Sequence, residues 1–367
     1  MVLLAACSDE KEEVKGQRVT FEVRSSIPTY VEAQRKGGET RAWTPPTGYK
    51  TYDELNGEFE GQRSMENLSI ETFFTKDGDT PQQGTFFYNE HSNSWKLSMI
   101  IQQSGTYFLY GFLPKNEAAS SSIAANSSFS NGAVLTLNGL NTVTPSDICV
   151  IVGAKEGTNA DTDNGIRTGD FSVGVRATSN ENHNYVFLLF DHLYAAMRLR
   201  FVVDDEYNAL RTIKLRKLEL KPLANDNGTT VKAKYTSVVT LQANDAGESP
   251  IVGNITFTPE NNSADAELEP LYEGEVTLST SPINFMGSFI PGCTNHFKVR
   301  TTYDVYDKAG NLIREGETAE NTINLSNIFE ISTIQRGHMY SITLKVQPTY
   351  LNVLSGPDLS MPTVVVE

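Results

Sequence analysis

Thr212-Ile213-Lys214-Leu215-Arg216-Lys217-Leu218-Glu219-Leu220 is the stretch that decides the fold class. Ile213 and Leu215 alternate with Lys214 and Arg216, a period of two that puts apolar groups on one face and charges on the other. At Lys217 the alternation slips by one residue before Leu218 and Leu220 resume it, which predicts a β-bulge. The same pattern recurs in both directions. Toward the C-terminus, Thr301 to Tyr306 and Leu312-Ile313-Arg314 flank Asp307-Lys308-Ala309-Gly310-Asn311, a hairpin with the expected turn chemistry. Ser341 to Val346 alternates again. Toward the N-terminus lie Ala195 to Val203, Tyr185 to Phe190, Asp147 to Ile151, Ala133 to Leu137 and the aromatic run Thr106 to Leu113, stopped by Pro114. Thr85 to Tyr88 and Trp95 to Ile101 flank the turn-like Asn89 to Ser94, and Val19, Phe21 and Val23 share one face of a first strand.

No segment longer than about ten residues holds a helical period. The chain therefore reads as all-β, with Greek-key strands in two tandem β-sandwich domains. At 367 residues it is long enough for two cores. The polar stretch from Asp170 to Asn184 is the expected boundary. The expected division is residues 1–7, an arm over 8–41, a first domain over 42–183 and a second over 184–367. The Ser/Asn/Ala-rich segment from Ala118 to Gly132 reads as a long flexible loop.

The arm has its own organisation. Ser8 to Gly16 is charged and reads as disordered. After the strand Val19 to Val23, a polar link runs from Ser25 to Thr40 and closes with Arg35-Lys36-Gly37-Gly38-Glu39-Thr40-Arg41-Ala42. A strand followed by an exposed basic link is a site for a trypsin-like protease. Ahead of it, Leu4-Ala5-Ala6-Cys7 and the acidic run after it have the form a lipoprotein signal peptidase recognises, with the Cys7 thiol as the acylated atom. Only Met1-Val2-Leu3 precede the motif, where a full signal would carry an apolar stretch of about 7–15 residues. Stable lipid anchoring takes more than one chain, which a triacylated cysteine supplies.

A formal charge of −15 argues against nucleic acid and anionic membrane surfaces as partners. No apolar window of about 18 residues is present. Of three cysteines, Cys149 sits in an apolar run and Cys293 follows Pro291-Gly292; a disulfide between them is open, as is one buried thiol and one loop thiol. His91, His183, His192, His296 and His338 form no HExxH pair and no zinc-site spacing, and each reads as a surface or turn residue. Phosphate-binding loops and nucleophile elbows are missing. Asp161-Thr162-Asp163-Asn164-Gly165 with Asp170 only weakly matches a calcium loop, its glycine one place early and its twelfth position lacking Glu. Acidic pairs such as Asp204-Asp205 are too common to nominate as an acid/base couple. The expectation is a protein without catalysis, cofactor or metal.

Taken in order, several segments resemble the fimbrillin family, the subunits of the protease-assembled type V pili of Bacteroidetes. These are the lipobox Leu4 to Cys7, the aromatic strand Tyr107-Phe108-Leu109-Tyr110-Gly111-Phe112-Leu113-Pro114, and Phe190-Asp191-His192-Leu193-Tyr194-Ala195-Ala196-Met197-Arg198-Leu199. The C-terminus, Pro348 to Leu354 and Pro362 to Glu367, is similar as well. The resemblance spans nearly the whole chain and is diffuse. It implies two transthyretin-like sandwiches in an outer-membrane lipoprotein precursor. An arginine-specific protease cuts this precursor, and other pilus subunits assemble onto it by strand exchange. Physically that is β-augmentation, head to tail, generating an open filament.

Carried onto this chain, the resemblance makes Val19, Phe21 and Val23 the removable strand. The cut falls between Arg41 and Ala42, with Arg35 and Arg24 as alternatives. Candidate donor-strand anchors are Ile342, Leu344 and Val346, or Leu351, Val353, Val364 and Val366. Two alternatives stay open: a permanent first strand, and a tail that is an ordinary closing strand. A surface ligand of host or bacterial origin is compatible with either. A different class of function, a glycan-binding surface lipoprotein, would use Trp43, Trp95 and Tyr350 as stacking platforms.

Overall fold

In the computed structural model the described residues are 17–36, 49–50, 68–89, 91–92, 94–101, 105–157, 174–177, 183–225, 227–228, 230–242, 251–331, 333–346 and 363–365. Cys7, Arg41, Ala42, Trp43, Tyr350, Leu351, Val353, Val366 and the weak calcium-loop match lie outside them. The arm contributes β1 (Gln17–Pro28) and β2 (Val31–Glu32), followed by β3 (Tyr49–Lys50). Next come β4 (Ser69–Thr75), β5 (Gln82–Asn89), β6 (Ser94–Ile101) and β7 (Gly105–Leu113). β8 (Ser120–Asn126), β9 (Ser128–Asn141), β10 (Val143–Thr144), β11 (Cys149–Gly157) and β12 (Gly174–Ala177) follow. After β13 (His183–His192) and β14 (Ala195–Val203), a short helix α1 (Asp205–Leu210) precedes β15 (Arg211–Leu223), β16 (Lys234–Gln242), β17 (Ile251–Pro259) and β18 (Glu269–Leu278). The chain then runs through β19 (Ile283–Phe289), β20 (His296–Asp307), β21 (Leu312–Asn324), α2 (Leu325–Ile328), β22 (His338–Val346) and β23 (Thr363–Val365). The all-β reading holds.

The local readings that rest on strong patterns hold as well. The strand Arg211–Leu223 shifts register between Leu215 and Lys217 against both of its neighbours, where the alternation slips. The Asp307 carboxylate accepts from the backbone N–H of Ala309 and Asn311, and Gly310 takes a φ of 89° at the turn. Asn89 closes the β5–β6 hairpin by pairing with Ser94.

Four sheets result. In the largest, the order β11-β13-β1-β6-β5-β4-β7 closes on itself, because Leu113 and Phe112 of β7 pair back to Cys149 and Val150 of β11. Every strand of this ring contributes to one apolar core, including Val19, Phe21, Ile70, Phe86, Trp95, Tyr107, Ile151 and Leu188. That is how a small closed sheet fills its interior. A second sheet, β17-β16-β9-β8, packs over the outer face of the ring through Leu135, Leu137 and Val239 against Tyr110, Val150 and Leu189. The remaining two, β10-β19-β14-β22-β2 with β23 and β18-β15-β20-β21, face each other as a sandwich around Leu199, Phe285 and Ile342 on one side and Leu215, Phe297 and Val305 on the other.

Three expectations differ from this arrangement. The expected division at 183/184 falls inside the ring strand His183–His192, and β9 pairs with β16 across it, so the sheets interleave residues from both sides. Within the stretch expected as a flexible loop, Ser120–Asn126 is an edge strand paired along β9. Its Ser and Ala residues are weak β-formers, and ladder hydrogen bonds and neighbours decide the outcome instead. Gly132, at φ 112°, lets β9 run close to β16: a Cβ there would lie 2.0 Å from the Leu241 carbonyl oxygen. The link after Val23 is not an open tether over its described part, since the first strand runs on to Pro28 and the chain then joins the sandwich.

Candidate functional site: the arm strand and its slot

β1 lies inside the ring rather than at an edge. Along one side Thr20 to Ser26 run parallel to His183 to Leu189; along the other Gln17 to Val23 run antiparallel to Ile101 to Trp95. Val19, Phe21 and Val23 alternate inward and are completely buried, as is Ile27 beyond them. The Phe21 ring meets Phe74 edge-on at 5.0 Å between centroids. Outward, Glu22 accepts from Ser94 Oγ at 2.6 Å and pairs with Lys96 Nζ at 3.4 Å. Four buried apolar side chains at about 1.5–3 kcal/mol each put the strand's contribution on the order of 10 kcal/mol. Of the alternative cleavage residues, Arg24 stands opposite Phe187 within the ladder.

Past Pro28 the arm crosses to the sandwich. Val31 N–H donates to the Gly337 carbonyl at 2.9 Å and Ala33 N–H to that of Met339 at 2.8 Å. Glu32 pairs with Arg198 at 2.7 Å and accepts from Ser341 Oγ at 2.9 Å. Arg35, the second alternative cut, bridges to Phe329 in the backbone, and its guanidinium donates to the Ser341 carbonyl at 2.9 Å.

The tail candidates Ile342, Leu344 and Val346 are buried on β22, in the core of the sandwich. β22 runs parallel to β14 along Met339 to Val346. Its other edge is covered in pieces: His338 and Met339 by β2, and Thr343 to Lys345 by β23, where Val364 stands opposite Leu344. One edge is thus shared by the arm and by the tail.

Where β1 ends, the structure gathers groups that the sequence did not. Tyr30 Oη donates to Asp147 Oδ1 at 2.6 Å, and the Tyr30 ring stacks on His192 with centroids 3.9 Å apart. His192 Nδ1 lies 3.0 Å from the same Asp147 oxygen and 3.7 Å from Cys149 Sγ, while Nε2 lies 2.6 Å from the Pro28 carbonyl. His192 is 1% exposed, which corrects its reading as a surface or turn residue. Burial alone would push Asp147 up and His192 down, but their mutual attraction reverses both, holding Asp147 below and His192 above the ordinary values. Burial and the neighbouring Asp147 push the Cys149 thiol up. The signal was too short to find: Asp147 and Cys149 share a face at i, i+2, and His192 joins them only through pairing opposite Cys149.

Of the other histidines, His91 is exposed in a turn, and His296 and His338 are half-buried. Cys149 and Cys293 are both free thiols. Trp95 is 2% exposed in the ring core. No helix among the described residues is long and apolar enough to cross a membrane.

No family model matches the chain, and no curated protein matches it. Solved structures resemble it over most of its length at low identity. One, described as a "putative cell adhesion protein" from Bacteroides fragilis, is 12% identical, with 94% of this chain and 97% of that one covered and a TM-score of 0.39. Another so described, from Bacteroides uniformis, is 10% identical over 94% and 98%, with a TM-score of 0.37. A fimbrial protein from Bacteroides vulgatus is 14% identical over 88% and 95%, with a TM-score of 0.32.

Proposed function

We propose that the chain is a structural, non-catalytic subunit of a type V pilus, exported as a lipoprotein acylated at Cys7 and assembled at the cell surface by strand exchange. The observation that carries this reading is the placement of β1. An N-terminal strand fills a slot between β6 and β13, and its continuation covers part of the edge of β22. Cutting after Arg41 and withdrawing the arm would leave β6 and β13 about two strand spacings apart, roughly 10 Å, above an open apolar core. Two unpaired edges over such a core are unfavourable in water, so a strand from a neighbouring subunit that alternates as Val19, Phe21 and Val23 do is bound strongly. β23, a three-residue strand near the C-terminus, supplies the tail that could leave β22 and donate.

The glycan-platform alternative loses one of its three candidates, since Trp95 is buried and has no face to offer a sugar. Digestion of the purified chain with an arginine-specific protease, followed by intact mass and size-exclusion chromatography, tests the proposal. We expect a cut after Arg41, loss of the arm and growth of higher oligomers. An arm that stays bound to a monomer after cutting would sink strand exchange for this chain.

A further inference from the structure

We propose that Asp147, Cys149 and His192 form a binding site for a divalent zinc-class cation, seated beneath Tyr30 where the arm leaves the ring. The three donor atoms lie within 4.8 Å of one another and all three residues are buried. Two of the three donor separations suit tetrahedral ligation: Nδ1 to Oδ1 is 3.0 Å and Nδ1 to Sγ is 3.7 Å, as expected for ligands each about 2.0–2.3 Å from a common centre. A nitrogen, a sulfur and a carboxylate oxygen together favour zinc over calcium or magnesium, which take oxygen alone.

Two further observations point to a ligand. Asp147 Oδ2 is buried and has no hydrogen-bond partner, a rare state for a carboxylate oxygen. His192 is also already oriented as a metal ligand would be. The Pro28 carbonyl can only accept, so Nε2 carries a proton and donates it, leaving Nδ1 as the coordinating atom. Tyr30 Oη, 2.6 Å from Asp147 Oδ1, stands where it could orient that carboxylate or complete the ligand set.

Around a divalent cation, a thiolate, a carboxylate and a neutral imidazole sum to zero, so the bound state leaves no net charge in the core. The site joins β11 and β13 across the register position where Cys149 and His192 face each other, and it draws on Pro28 and Tyr30 of the arm. Bound metal would therefore pin the arm's exit to the ring.

The experiment uses the full chain carrying Cys7→Ser and Cys293→Ala, so that Cys149 is the sole thiol. Zinc is measured by mass spectrometry after dialysis, and the thermal midpoint is read with and without zinc chloride. Cobalt(II) replaces zinc for an absorption spectrum. We expect about one zinc per chain, a midpoint raised by about 5 °C or more, and a thiolate-to-cobalt charge-transfer band. Adding Cys149→Ala should abolish that band and the zinc-dependent shift. If Cys149→Ala does not fold, the cobalt band of the parent chain still decides, since only one thiol is present. A parent chain that binds no metal, a cobalt spectrum without a sulfur band, or binding unchanged in Cys149→Ala would each overturn the site.

Discussion

β1 is hydrogen-bonded along seven residues on each side, whereas β22 is paired along eight residues with β14 and, among the described residues, on its other edge by β2 and β23 alone. Val19, Phe21, Val23 and Ile27 of β1 and Tyr340, Ile342, Leu344 and Val346 of β22 are all buried. Burial therefore does not set the two strands apart. What differs is who supplies the neighbours. β1 sits among ring strands and is the first of the described strands, with ring neighbours on both sides. β22 is held by the sandwich but borrows its outer edge from β2 and β23. Removing the arm would thus affect both places at once: a slot would open in the ring and the first part of the β22 edge would be uncovered.

The comparison can be broken most forcefully at Phe21. Phe21→Ala removes a fully buried ring from the shared core and should cost about 3–5 kcal/mol in denaturant unfolding, enough to leave β1 poorly held. Leu344→Ala on β22 should cost about 2–5 kcal/mol, read the same way, without loosening β1. If instead Leu344→Ala frees the arm to proteolysis as readily as Phe21→Ala does, the two regions are not separable.

Arg35→Ala sharpens the contrast at the shared edge. The Ser341 carbonyl lies between the parts of β22 covered by β2 and by β23, and Arg35 satisfies it from the arm. The expected loss is about 1–2 kcal/mol, with faster hydrogen exchange confined to β2 and β22.

Acid should act at the far end of β22. Asp204 pairs with Lys345 at 2.9 Å and caps α1, and the Lys345 hydrogen bond first, then the backbone N–H groups of Tyr207 and Glu206, hold its carboxyl below the ordinary value. Its contribution is present above about pH 4 and is lost as the pH falls through the lower folded-state value. Asp204→Asn keeps an N-cap but not the ion pair. Its thermal midpoint should consequently fall less between pH 5 and pH 3 than that of the parent. The smallest effect belongs to the outer face of the sandwich, where Lys298 and Glu320 pair at 2.8 Å in solvent. Lys298→Ala should change stability by less than about 0.5 kcal/mol.

How much of this was legible in the sequence follows from range. Where side chains alternate and a turn carries its own chemistry, as at Ile213 to Leu220 or Asp307 to Asn311, the structure follows the pattern. Ser120 to Asn126 was not legible, because it is a strand only by virtue of β9. The boundary at 183/184 fails for the same kind of reason. Polar composition marks a surface segment, but the strand that follows returns to the earlier sheet. The first strand was visible in Val19, Phe21 and Val23, while its extension to Pro28 and the crossing to β22 depend on partners some 300 residues away. His192 read as an ordinary turn histidine because Asp147 and Cys149 are 45 and 43 residues from it.

The parallel pairing of β1 with β13 has a mechanical consequence. The N-terminal end of β1 and the C-terminal end of β13 lie at opposite ends of the same ladder. Tension drawn from the chain's N-terminus against the body therefore loads the seven register pairs in shear. They must yield together rather than peel one at a time, as the strands of an antiparallel hairpin do when pulled apart from their open end. Any strand that replaced β1 in the same direction would inherit that geometry against β13.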